Sequence, residues 1–61
     1  MKNNRTIRIE EIMNTLLKIN EENMKIDTFK FTTEIMIKYG VTERKAKEYL
    51  RVAHLMIENG N

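Results

Sequence analysis

Residues 32–50 read TTEIMIKYGVTERKAKEYL, and this stretch decides the fold. Ile35, Met36 and Tyr39 recur at helical spacing, a Tyr39-Gly40-Val41 turn follows, and Thr42 opens a second amphipathic segment. Gly40 supplies the left-handed residue that ends one helix, and Lys38 in the last turn suits that helix's negative end. Thr42 is a favoured N-cap for the next helix, and Glu43 in its first turn complements the dipole. Projected at about 100° per residue, Ala46, Tyr49, Leu50, Ala53, Met56 and Ile57 share one arc, which is the expected core side. Arg44, Lys47, Arg51 and His54 fall on the opposite side.

Working towards the amino end, either Thr32 or Thr33 is the expected cap of the helix before the turn, with Phe31 stapled against Met36 if Thr32 is the cap. Residues 28–32, Thr-Phe-Lys-Phe-Thr, alternate with β-favouring types. They read either as a short extended piece or as a loop that drops Ile26, Phe29 or Phe31 into the core. Before them a first helix is expected from about Ile9 to Glu22, with Ile9, Ile12, Met13, Leu16, Leu17 and Ile19 on a broad apolar arc. Working towards the carboxyl end, the third helix is expected to reach Glu58 or Asn59, with Gly60 as its stop. The expected fold is therefore all-α. It is a three-helix bundle over residues 9–59, preceded by a basic arm over residues 1–8, and without a C-terminal wing.

Composition narrows the function. The chain has 61 residues, one His, no Cys and a net charge of +2. A chain this short buries only about 60% of its unfolded surface, so tight helix packing or self-association is the expected remedy. With no Cys or Ser and a single His and Asp27, neither a disulfide, an ordinary protein-ligated zinc site nor a nucleophilic active site is expected. Glu10-Glu11 and Glu21-Glu22 are sequence neighbours, so each pair diverges around its helix. No cofactor is expected, and the chain reads as a binder rather than an enzyme. Arg8, Glu10 and Glu11 break the first apolar run, so neither a signal peptide nor a membrane span is expected, and a cytoplasmic location follows by default.

Charge is unevenly placed. Lys2, Arg5 and Arg8 stand in residues 1–8 without an acid, acids prevail over residues 9–37, and residues 38–51 hold Lys38, Arg44, Lys45, Lys47 and Arg51 against Glu43 and Glu48. Basic charge at an amino arm and on one helix is the pattern that faces a phosphate backbone.

Residues 32–50 resemble the helix-turn-helix motif of DNA-binding regulators. Tyr39-Gly40-Val41 matches its turn, Ile35, Met36 and Tyr39 its first helix, and Thr42, Ala46, Tyr49 and Leu50 the capped second helix. Met36 stands where that motif prefers a small residue, and Ala46 opposite offers room. The resemblance implies a transcription regulator that reads double-stranded DNA with the helix beginning at Thr42. Glu43, Arg44, Lys45, Lys47 and Glu48 would then face base edges and phosphates, and Arg51 the backbone. The side-chain chemistry points the same way: an Arg fork matches the acceptors of guanine, Lys is a point charge for phosphate, and Thr42 adds a hydroxyl and backbone N–H. Arg5 and Arg8, with Lys2, are candidate contacts from the arm.

Other readings use the same residues. Arg44–Glu48 is an i,i+4 pair on what is otherwise a solvated face, although Lys47–Arg51 is like-charged and is better tolerated beside a polyanion. Val52, Leu55 and Met56, with Met24, form a patch expected to close on a second copy of the chain. In the alternative function, that patch serves a three-helix protein-interaction module. A third reading takes Arg5-Thr6-Ile7-Arg8-Ile9 as the opening strand of a ribbon-helix-helix regulator. His54 is a lone exposed histidine that either contacts phosphate, responds to pH or does neither.

Overall fold

The computed structural model describes residues 3–22 and 25–59. Lys2, Met24 and Gly60, which entered the expectations above, lie outside them. Three helices follow in order: α1 (Asn4–Glu21), α2 (Thr28–Tyr39) and α3 (Glu43–Asn59). Among the described residues there is no strand, and the molecule is a three-helix all-α protein.

α1 begins five residues earlier than the apolar spacing indicates. The Asn3 side chain accepts the Thr6 N–H at 2.8 Å, and the Asn3 carbonyl accepts the Ile7 N–H at 3.1 Å. This N-cap satisfies donors at the helix start, so that Arg5 and Arg8, expected in an arm, are helical. Arg5 and Arg8 are therefore part of α1, and residues 5–9 are not a strand. Ile9, Ile12 and Leu16 are buried and Met13 packs beside them, while Leu17 faces solvent, so the buried arc is narrower than the apolar one.

α2 departs furthest from expectation. Residues 28–32 are neither extended nor a loop but its first turns, capped by Asp27, whose carboxylate accepts the Lys30 N–H at 3.2 Å. The Asp27 carbonyl takes the Phe31 N–H at 2.9 Å. The β-branched residues adapt by turning their hydroxyls onto the helix itself: Thr32 Oγ1 donates to the Thr28 carbonyl at 2.8 Å and Thr33 Oγ1 to that of Phe29 at 3.0 Å. A local cap and these back-bonds outweigh a weak, context-dependent strand preference. Thr32 is a buried mid-helix residue, not a cap. Of the three apolar candidates, Phe31 packs against the core, whereas Phe29 is 76% exposed and Ile26 lies at the surface.

The turn follows the sequence closely. Gly40 adopts φ 63°, ψ 39°, and both its own N–H and that of Val41 return to the Met36 carbonyl. Val41 then packs against the core, the apolar contact that accompanies such helix ends. Thr42 caps α3, its hydroxyl accepting the Lys45 N–H at 3.2 Å.

α3 is the central element, in more extensive contact with α1 and with α2 than those two are with each other. It presents Ala46, Tyr49, Leu50 and Ala53 to Ile9, Ile12, Leu16 and Ile35. Ala46 and Ala53 are completely enclosed. Small residues at these positions let neighbouring elements come close, and Met36 is accommodated half-buried at the edge of the same core. Met56, expected on the core side, lies at its flank and is 38% exposed.

Candidate nucleic-acid interface

The amino half of α3 stands open to solvent. Glu43, Arg44, Lys45, Lys47, Glu48 and Arg51 are all exposed, because the arc that buries Ala46, Tyr49 and Leu50 leaves the other side of the helix uncovered. Thr42, Arg44, Lys45 and Glu48 line a shallow open depression of about 280 Å³ at its start. The Ala46 N–H bonds the Thr42 carbonyl at 2.9 Å and the Lys45 N–H bonds the Thr42 hydroxyl. The amides of Glu43 and Arg44 are thus left without intrahelical acceptors, the ordinary state of a helix start and a favourable one for an anion.

Ion pairing sorts the charged residues into two groups. Glu48 sits between two cations: Arg5 Nη2 lies 3.1 Å from its Oε1 and Lys45 Nζ 3.8 Å from its Oε2. The Arg5 hydrogen bond, then the charges of Lys45, Arg5 and Arg44, hold the Glu48 carboxyl below the usual carboxylate range. Lys47 Nζ lies 3.9 Å from Glu43 Oε2. The Arg44–Glu48 neighbours of the solvated-face reading form no ion pair; Glu48 pairs with Arg5 and Lys45 instead. Among the described residues Arg44 and Arg51 make no ion pair.

The two arginines placed in an arm have different fates. Arg5, from the first turn of α1, joins the α3 surface through Glu48. Arg8 turns inward, its Nη1 donating to the Tyr49 hydroxyl at 3.4 Å and its guanidinium 5.4 Å from the centre of the Tyr39 ring. Arg8 therefore leaves the candidate surface and becomes part of a junction between the helices.

That junction is the polar feature the residue pattern did not disclose. Tyr39, at the end of α2, donates its hydroxyl to Glu11 Oε1 on α1 at 2.5 Å. Lys38 Nζ lies 4.0 Å from the same carboxylate oxygen and 5.4 Å from the Tyr39 ring centre. Partial burial, then the hydrogen bond and charge of Glu11, push the Tyr39 phenol up to about 12 against the opposing influence of Arg8. Arg8 and Glu11 stand one turn apart on α1, the single hint that they face a common partner.

Of the expected α3 patch, Val52 packs against the core, whereas Leu55 is 43% exposed and Met56 lies at its flank. His54 is exposed. Phe29 and Ile37 on α2 are far more exposed than any of these, and the apolar spacing did not single them out. No group of three or more His, Cys, Asp or Glu among the described residues is arranged to hold a metal ion, and no described helix is long and apolar enough to cross a membrane.

The chain matches no protein-family model, no curated protein and no solved structure. The functional reading therefore rests on the residues themselves.

Proposed function

We propose that the chain binds double-stranded DNA with the amino half of α3 and acts as a small transcription regulator in the cytoplasm or nucleoid. The carrying observation is that Arg44 and Arg51 project from the open side of α3 with no ion-pair partner among the described residues, while the neighbouring lysines are paired. Two unpaired guanidiniums about two turns apart on one helix face gain little from water and are favourably placed against phosphates. Arg44 lies next to the helix start and is assigned to a base edge; Arg51 and Lys47 are assigned to the backbone. Thr42 and the free amides beside it add a neutral phosphate contact.

The test is fluorescence anisotropy with duplexes enriched from random sequence, at two salt concentrations. Arg44→Ala is expected to weaken the selected duplex by about 1–3 kcal/mol and to relax preference at one base position. Arg51→Ala is expected to weaken all sequences alike and to lower the salt slope by about 1. Unchanged affinity in both variants would falsify the assignment of this face.

A second reading is a protein-interaction module in which Leu55 and Met56 meet a partner helix. It is favoured by their exposure on the carboxyl half of α3. It predicts association that is insensitive to salt and survives Arg44→Ala.

A further inference from the structure

Among the described residues, the most exposed large apolar side chains share one helix. Phe29 and Ile37 of α2 are 76% and 78% exposed, yet neither belongs to the α3 face or to the core. They stand eight residues apart with Thr33 midway, so Phe29, Thr33 and Ile37 form one i,i+4 ridge along α2. Thr33 does not interrupt this ridge with a polar group. Its hydroxyl is turned back to the Phe29 carbonyl at 3.0 Å, which satisfies the donor within the helix.

We infer that this ridge is the face on which a second copy of the chain docks, with α2 antiparallel to the partner's α2 and Thr33 at the two-fold axis. Ridges of this spacing interlock in the commonest class of helix packing, and a large–small–large ridge is complementary to its own reversed copy. The small central residue sets the approach, and Phe29 and Ile37 flank it at either end.

Charge argues for a copy of this chain rather than an unrelated apolar partner. Lys30 and Glu34 lie along one flank of the ridge and form no ion pair with each other or with any other described residue. Antiparallel pairing about Thr33 brings Lys30 of each copy alongside the partner's Glu34, twice over. The flank is thus complementary to itself only when reversed.

The inference is independent of what α3 binds, and it moves the expected contact between copies from the Val52, Leu55 and Met56 patch to α2. Sedimentation equilibrium of the full chain over a wide concentration range tests it, with circular dichroism confirming the helical fold of each variant. Ile37→Glu is expected to raise the dimer Kd by on the order of tenfold or more, and Leu55→Glu to leave it unchanged. Lys30→Glu is expected to weaken the dimer and Lys30→Glu combined with Glu34→Lys to restore it, because the swap rebuilds both cross-pairs only in an antiparallel arrangement. A wild-type chain that stays monomeric throughout, a dimer that Leu55→Glu breaks and Ile37→Glu does not, or a charge swap that fails to restore association each overturns it. Because Ile37 and Lys30 lie away from α3, lost DNA binding with intact dimerisation separates failure of the DNA reading from failure of this one.

Discussion

Tyr39 shows how much one side chain contributes to this small core. Its phenol joins α2 to Glu11 of α1 while its ring packs beneath Arg8 of the same helix, so one residue makes polar, cation–π and apolar contacts at once. Tyr39→Phe keeps the ring and is expected to lower stability by about 1 kcal/mol in urea denaturation. The raised phenol also gives a pH dependence of definite sign. A group that ionises later in the folded state than in the unfolded one stabilises fully below its ordinary value near 10, and that contribution is lost as pH rises towards about 12. Wild type is expected to lose stability across this window more steeply than Tyr39→Phe. Glu48 behaves oppositely. Its lowered carboxyl contributes above the ordinary carboxylate range, and the contribution disappears as pH falls through its own value. Glu48→Gln is expected to flatten the acid limb of the stability curve slightly, and added salt to do the same in wild type, because the Arg5 pair is exposed.

At the scale of elements, what the sequence discloses and what it hides follows from the range of the interactions. The Gly40 turn and the Thr42 cap are local devices and could be read directly. Gly40→Ala places a Cβ in open space but at φ 63°, so the expected loss of about 1 kcal/mol is one of backbone conformation alone. Thr42→Ala is expected to lose about 1 kcal/mol through the freed Lys45 amide. Thermal melts of both variants measure these values. The starts of α1 and α2 are not legible in the sequence, because Asn3 and Asp27 precede residues whose alternation imitates a strand, and only their cap bonds decide the matter. The candidate site was legible on α3, where exposure follows from helical periodicity. It was illegible on α1, since the residue that engages Arg5 lies 43 positions away and the one that engages Arg8 lies 41 away. No spacing rule reaches that far. The apolar ridge of α2 is hidden for a related reason: the sequence leaves open which of Ile26, Phe29 and Phe31 reaches the core, and only the position of α2 shows that nothing in the described chain covers Phe29.

Over the whole molecule, the Cα atoms extend 28 × 28 × 14 Å with a radius of gyration of 11.2 Å. A flattened shape exposes more surface for its mass than a sphere, and the α2 pairing proposed above would cover part of it. Stability is accordingly expected to depend on protein concentration, with the melting temperature rising as the dimer is populated and Ile37→Glu abolishing the rise. The closed Ala46 and Ala53 positions carry a further consequence. α3 is anchored by Ala46, Tyr49, Leu50 and Ala53 on its buried arc, and the two alanines, which set the close approach, have no side-chain entropy to lose and no atoms reaching towards its open side. How the helix is held is thus decoupled from what it displays. Substitutions at 44, 47, 51 or 54 are expected to change stability by less than about 0.5 kcal/mol, whereas Ala53→Leu is expected to cost about 1–3 kcal/mol. Such a scaffold lets the exposed residues of α3 change while the fold stays fixed, so sequence variation on that face need not pass through unstable intermediates.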